Sequence, residues 1–292
     1  MDILVYADWF GLKGAARMGT LSVTHIRGRE VFSFAYDKDW LNRGQAQRLD
    51  PDLQLFSGPQ YLAADKKNFG LFMDSSPDRW GQVIMKRREA IAARLEKRKE
   101  KTLFQEDFLL GVFDQQRMGA LRFKLSEEGP FLSDNAELAA PPWTSLRELE
   151  FASLQLEKET LPDRESLKWL NMLLAPGASL GGARPKAGVT DEKGSLWIAK
   201  FPAAGDRIDM GAWEMVANEL AADAGIDVAS GQAKRFNDKH HTYLSKRFDR
   251  IGTRRRLHFA SAMTLLGQRD GAEGMSYLDL AAFLIKNGED PK

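Results

Sequence analysis

The chain has 292 residues, enough for one large or two medium domains with a core that needs no covalent staples. It has no cysteine, which excludes disulfides, thiolate metal sites and cysteine nucleophiles, and its 4 histidines leave little material for a zinc centre. Lys+Arg (42) balances Asp+Glu (41), so no global field draws the chain to nucleic acid or membrane. No apolar run reaches bilayer length and the first residues carry no signal-peptide pattern, so a cytoplasmic location without membrane contact is expected.

The first forty residues read as strands. Ile3-Leu4-Val5-Tyr6 is short and apolar, Val31 to Tyr36 alternates aromatic with small residues, and Arg27-Gly28 suits the turn before it. Residues 76–101 switch to helical period, with Ser76 able to cap, Pro77 suited to the first turn and Asp78 to the positive end of the dipole. Trp80, Ile84, Ile91 and Leu95 form its apolar stripe; the basic run from Lys86 to Lys101 reads as a solvated face. A short helix over 103–113, a strand over 118–123, a Pro-rich loop over 126–144 and a helix over 145–161 follow.

From about 177 the pattern changes again. Gly181-Gly182 leads into a strand ending at Thr190, Asp191 to Gly194 is turn-like, and Leu196 to Phe201 returns as a strand carrying one lysine, Lys200. A helix over 211–224 places Trp213, Val216 and Leu220 on one side and Glu214 near its start. A second strand pair is expected over 228–236 and 241–248, and helices after 257. A strand lysine followed by a helix glutamate is the arrangement with which protein kinases hold nucleotide phosphates: the ammonium meets the phosphates and the carboxylate fixes the ammonium. A glycine-rich turn lets backbone N–H groups approach phosphate oxygens. Spacing alone leaves open the plainer reading of a surface lysine and a solvated glutamate. His240-His241 tempts a metal reading, but adjacent strand residues face opposite ways. Arg254-Arg255-Arg256 reads as a solvated turn.

Three segments resemble the HipA-like serine/threonine kinases, toxins of bacterial toxin–antitoxin pairs. Phe69 to Gly81 (FGLFMDSSPDRWG) resembles the family's GLFADSLPDRWG signature. Gly177 to Ala187 (GASLGGARPKA) is similar to its SSLGGARPKA loop, and Ser245 to Arg250 (SKRFDR) to its RFDR segment. The resemblance implies an α+β fold: a small N-terminal β-rich subdomain over 1–140, then over 141–292 a protein-kinase-like N-lobe with the start of a helical C-lobe. It implies that Gly181, Gly182, Ala183, Arg184, Pro185 and Lys186 cover the phosphates of ATP. Lys200 is then the phosphate-binding lysine, Glu214 its partner, and Lys246, Arg247 and Phe248 the hinge beside adenine. Ser179 matches the serine that is autophosphorylated in the family.

The same resemblance sets an expectation of incompleteness. Family members carry, further on, a catalytic loop of the N-x-D-D-H-x-x-N kind and a magnesium-binding aspartate. No aspartate after Lys200 is followed by Asn five residues later, and the Asp-x-Gly at Asp223-Ala224-Gly225 falls at the end of the Glu214 helix. ATP and Mg2+ are the cofactors of the complete family enzyme, and neither a catalytic residue nor a Mg2+ ligand is identified in this chain. The chain is thus expected to be a C-terminally incomplete kinase, inactive alone; the alternative is a non-catalytic nucleotide- or antitoxin-binding module, or one half of a split kinase. The implied partner is a helix-turn-helix, HipB-like antitoxin, with DNA reached only through it; the protein substrate is not specified by the sequence.

Overall fold

Two larger antiparallel sheets, one in each half of the chain, and a two-stranded sheet near the end carry helices between and after them, an α+β arrangement. The computed structural model describes all residues except 45, 63–65, 159–161, 175–183, 237–238, 253–254, 270 and 289–292. Strands β1 (Asp2–Ala7), β2 (Ala16–Ile26) and β3 (Arg29–Tyr36) begin the first sheet. Alternation sends Ile3, Val5 and Ala7 of β1 and Phe32, Phe34 and Tyr36 of β3 into the core. Arg27 (φ 49) and Gly28 (φ 79) close the β2–β3 hairpin as a two-residue turn with both residues at positive φ, whose twist matches the strands. Helix α1 (Lys38–Leu41) seats Trp40 in the core, and β4 (Pro59–Tyr61) pairs with β3. Helices α2 (Gly70–Met73), α3 (Arg79–Leu95) and α4 (Gln105–Leu110) follow. Strand β5 (Leu121–Lys124) returns to pair with β1, which sets the order β4-β3-β2-β1-β5.

Helix α3 is shorter at both ends than its sequence pattern. Asp78, not Ser76, is the N-cap, accepting from the Gly81 amide at 2.8 Å. At the other end Lys97 turns left-handed (φ 53) and Arg98 folds back onto Glu89 at 2.5 and 3.0 Å. With Lys101 on Asp107 at 2.5 Å, part of the basic run is thus neutralised internally at the surface.

The second half opens with α5 (Leu146–Lys158) and α6 (Asp163–Leu174). The sequence reading did not separate α6, although Leu170 and Leu173 are buried on it. Strands β6 (Lys186–Thr190) and β7 (Leu196–Lys200) form a hairpin whose turn is held by Asp191, which accepts the Lys193 and Ser195 amides and, at 2.9 Å, the Trp197 ring N–H. Helix α7 (Met210–Asp223) then crosses to β8 (Gly231–Arg235) and β9 (His241–Lys246), and β9 inserts beside β7 to give the order β6-β7-β9-β8. Trp213, Val216 and Leu220 do share one side of α7, but it is the solvent side: they are 62%, 42% and 64% exposed. Strands β10 (Arg250–Ile251) and β11 (Arg255–Arg256), then α8 (Ala262–Leu265) and α9 (Tyr277–Asn287), complete the described elements.

Each half has its own core, and α3, though it belongs to the first half, packs into the second core. Ile3, Leu21, Phe34, Phe72 and Phe123 belong to the first. Ile84 and Ile91 of α3 join Leu149, Leu170, Val189, Phe201 and Leu244 in the second. Among the described residues no helix is long and apolar enough to cross a membrane.

Candidate functional site

Lys200 is the last residue of β7. It sits in register between Lys186 on β6 and Tyr243 on β9, so an inner strand of the sheet presents it. Its Nζ forms an ion pair with Glu214 Oε1 on the second turn of α7 and lies 5.5 Å from the centre of the Tyr243 ring. The two side chains are 35% and 38% exposed, so the pair is open to a ligand rather than sealed in the interior.

The start of α7 is pinned to the sheet, which fixes where Glu214 lies. Asp209 caps the helix by accepting the Ala212 amide at 3.1 Å. The same carboxylate accepts the His241 amide at 2.9 Å and meets His241 Nδ1 at 2.6 Å. Burial opposes charge on Asp209, but these hydrogen bonds and the His241 ring hold its carboxyl below the usual range. Gly211 makes the approach possible: a Cβ there would lie 2.1 Å from the His241 carbonyl oxygen.

Of the residues expected to cover the phosphates, Gly181, Gly182 and Ala183 lie outside the described residues, as does Ser179, the serine expected to be phosphorylated. Arg184 follows them and is engaged by Asp206 through both guanidinium nitrogens, one at 2.9 Å. That fork lowers the Asp206 carboxyl below its ordinary value despite some burial. Asp206 also accepts the Ala203 amide, tying the loop between β7 and α7 to the residue that leaves the glycine-rich segment. Pro185 is buried, and its carbonyl accepts the Phe201 amide at 2.9 Å. Lys186 is buried as well. Its ammonium forms an ion pair with Asp78, the cap of α3, with only 6% and 4% of the two side chains exposed. Burial pushes the Asp78 carboxyl up, and Lys186 pulls against that. Trp80 Nε1 donates to the Lys186 carbonyl at 3.3 Å. Two of the recognised segments, FGLFMDSSPDRWG and GASLGGARPKA, therefore meet in space.

The third segment is built differently. The Lys246 amide donates to the Ser230 carbonyl and the Arg247 amide to Leu196, both within the sheet. Phe248 is half exposed and packs edge-on against Phe259, with centroids 5.3 Å apart. The Arg247 guanidinium turns inward, donating to the Gln116 and Arg117 carbonyls and to both oxygens of Asp249. Asp249 also accepts Arg250 at 2.6 Å and the Gly119 amide at 2.7 Å, and Arg250 reaches the Arg117 carbonyl at 2.7 Å. All three side chains are 5% exposed or less. Burial opposes charge on Asp249, but the two guanidinium groups hold its carboxyl below the usual range; burial and the neighbouring Arg247 bring Arg250 down to about 9. Arg256, read from the sequence as part of a solvated turn, is buried and donates to the Asp114 carbonyl at 2.9 Å. The RFDR segment thus joins the second half of the chain to residues 115–119 of the first.

Comparison with known proteins agrees with this architecture. The HipA N-terminal domain model matches residues 12–124 and the HipA-like C-terminal domain model matches residues 178–292. Together these cover well over half of the chain, which belongs to the HipA-like family. Among solved structures, HipA in the Shewanella oneidensis MR-1 toxin–antitoxin complex of HipA, HipB and operator DNA is similar in fold, with a TM-score of 0.53 and 16% identity. The match covers 96% of this chain and 63% of that one, so the present chain spans less than two thirds of the HipA chain. No curated protein matches.

Sequence reasoning missed Asp78, Asp206, Asp209 and Gly211 as parts of the site. Asp78 carried a signal, a cap following proline, but a cap is a local inference and its distant partner Lys186 is not. Asp209 carried the same kind of signal, a cap five residues before Glu214. Among the described residues no group of three or more His, Asp or Glu side chains comes together to hold a metal ion.

Proposed function

We propose that this chain is the N-terminal subdomain and nucleotide-binding lobe of a HipA-type serine/threonine protein kinase, with Lys200 as the residue that meets ATP phosphates and Glu214 as its positioning partner. The observation that carries the reading is the half-exposed Lys200–Glu214 pair, set between β7, an inner strand of a β6-β7-β9-β8 sheet, and the helix that crosses over it. A desolvated pair would be spent on structure; this one keeps an ammonium at the surface, where a polyphosphate can share it. Arg184, 36% exposed and oriented by Asp206, is a second cation just before β6. The segment 181–183 supplies backbone N–H groups to the phosphates, the backbone of Lys246 to Phe248 flanks the base while the Arg247 guanidinium stays in its buried network, and Ser179 is the modified serine.

On this reading the isolated chain binds ATP weakly and does not transfer its γ-phosphate, and magnesium is held by groups other than those described here. A HipB-like antitoxin is the proposed protein partner, supported by the HipA relative being assembled with HipB and DNA. The second reading, one half of a two-chain kinase, is favoured by α9, where Tyr277, Leu278 and Ile285 are 90%, 80% and 65% exposed. The test is titration of a fluorescent ATP analogue into the full chain and into Lys200→Ala. Saturable binding weakened about tenfold or more by the substitution supports the assignment; binding that Lys200→Ala leaves unchanged refutes it. Radiolabelled ATP giving label on Ser179 with this chain alone refutes the expected inactivity.

A further inference from the structure

We propose that the outer face of α7 is a two-fold self-association surface, on which the same helix of a second copy of the chain packs antiparallel. The proposal stands apart from the nucleotide reading. Of the 14 residues of α7 only Glu214, Asn218, Glu219 and Asp223 are polar, a pattern that suits a helix covered on more than one side. The sheet covers one side. Gly211 is buried against His241, Asn218 donates to the Ala229 carbonyl at 3.0 Å, and Asp209 ties the first turn to β9 through the His241 amide. These contacts fix the rotation of the helix, so its outer face stays outward.

That face is a continuous strip. Met210, Trp213, Val216 and Leu220 follow one another at helical spacing, and Ile208 before the helix and Ile226 after it add exposed apolar groups at its two ends. Together they present roughly 600 Å2, above the few hundred Å2 of a usual monomer patch and approaching the roughly 800 Å2 per partner of a standard interface. Charge at the two ends selects a second copy as the occupant. Arg207 stands exposed before the helix, and Asp223 and Asp227 stand exposed at and just beyond its end. Antiparallel packing about Val216 and Ala217 sets Trp213 opposite Leu220 of the second copy and brings each Arg207 to the acidic end of the other helix, as a self-complementary contact requires. It also opposes the two helix dipoles, whereas parallel packing would put the acidic ends together. With a formal net charge of +1 the chain has no field that holds copies apart. Glu214 lies off this strip, turned toward Lys200.

The test is analytical ultracentrifugation of the full chain over a wide range of concentration. It compares the wild type with Trp213→Glu, Arg207→Asp, Asp223→Arg and the double variant Arg207→Asp/Asp223→Arg, with thermal unfolding recorded alongside. The substituted side chains are exposed, so each variant is expected to melt with the wild type. The expected result is a reversible wild-type dimer, its loss in Trp213→Glu, a dissociation constant raised about fivefold or more by each charge reversal, and recovery toward the wild type in the double variant. Because the chain has no cysteine, a thiol placed at Ala217 is its only one. A short bis-maleimide should join two Ala217→Cys copies and leave Leu278→Cys copies, marked on the exposed face of α9, unjoined. A monomer at every concentration overturns the proposal. So does a dimer that Trp213→Glu and the charge reversals leave intact, or one cross-linked through Leu278→Cys and not through Ala217→Cys. Charge reversals that weaken the dimer without recovery in the double variant overturn the antiparallel arrangement. Should Trp213→Glu not fold, the charge variants and the cross-link decide. No readout involves nucleotide, so failure here leaves the Lys200 assignment standing.

Discussion

Two ionic sites in this molecule use the same residue types for opposite ends. Arg247, Asp249 and Arg250 lie between the halves of the chain, almost fully buried, with each described hydrogen-bonding group directed at a carbonyl, an amide or another charge. Lys200 and Glu214 meet one to one with more than a third of each side chain in water. A buried network gives its members no freedom to take a ligand, because breaking any contact strands a charge away from water. A half-exposed pair gives up little when a third charged group arrives. Exposure and coordination, rather than charge, separate the architectural site from the candidate working one, though both lie in segments that resemble the family.

The contrast breaks most visibly at Asp249. Replacing it with alanine leaves Arg247 and Arg250 buried without their counter-ion and the Gly119 amide without its acceptor. We predict destabilisation of about 3–5 kcal/mol in urea unfolding, with loss of contact between the halves. A variant as stable as the wild type would mean the network is an incidental feature of the interface.

His258 sharpens the same region through pH. Neither ring nitrogen has a hydrogen-bond partner among the described residues, and the ring stacks on Trp9 with centroids 5.2 Å apart. Burial lowers its pKa from 6.5 to about 4. The unfolded chain therefore takes up this proton at a higher pH than the folded one, so stability contributed by the neutral ring is intact above about 6.5 and is lost as pH falls toward 4. We predict that about 2 kcal/mol of stability disappears between pH 7 and pH 4.5 on this account, and that His258→Phe removes that part of the slope. Equal slopes in the two proteins rule the histidine out as the cause.

What the sequence made legible follows from how local each signal is. The β2–β3 turn, the start of α3, the β6–β7 hairpin and the Lys200 strand all rest on residues within a few positions of one another, and each element is found where its pattern lies, within a few residues. The Lys200–Glu214 meeting was also within reach, because strand, loop and helix are consecutive. The partners of Lys186 and Arg247 were not. Their acids and carbonyls are more than a hundred residues away, in Asp78, Gln116 and Arg117, and a residue's charge does not announce whether it faces water or another domain. Resemblance located both segments without saying that one end of each serves the interface. The exposed side of α7 shows the converse: an apolar stripe by period lies in solvent, because periodicity reports that a face is apolar and not what covers it.

Gly211 tests the pinning of α7. A methyl group there would collide with the His241 carbonyl at 2.1 Å, and the helix must move off β9 to accept it. The far side of α7 is free to follow, so we predict a stability cost of only about 1 kcal/mol for Gly211→Ala, together with weaker nucleotide binding because Glu214 moves with its helix. A crystal structure of the variant with the Lys200–Glu214 pair in its original place, or unchanged affinity, counts against the helix start as the feature that sets the pair.

Lys200 gives the smallest effect on stability and the clearest separation of the two ionic sites. Its partner is one carboxylate at the surface, its neighbour Tyr243 loses only a cation 5.5 Å away, and no backbone group depends on it. Exposed pairs of this kind contribute little, because water solvates both partners almost as well once they separate. Lys200→Ala should therefore unfold within about 0.5 kcal/mol of the wild type in urea. The same substitution is predicted to remove most of the affinity for an ATP analogue, since Lys200 is the only lysine of β7 and the one paired with Glu214. Asp249→Ala should behave in reverse, costing stability first and affinity only as the fold loosens. If Lys200→Ala destabilises the chain by several kcal/mol, the pair is architectural after all. Its half-exposure would then reflect a surface that another part of the protein, or a partner, covers.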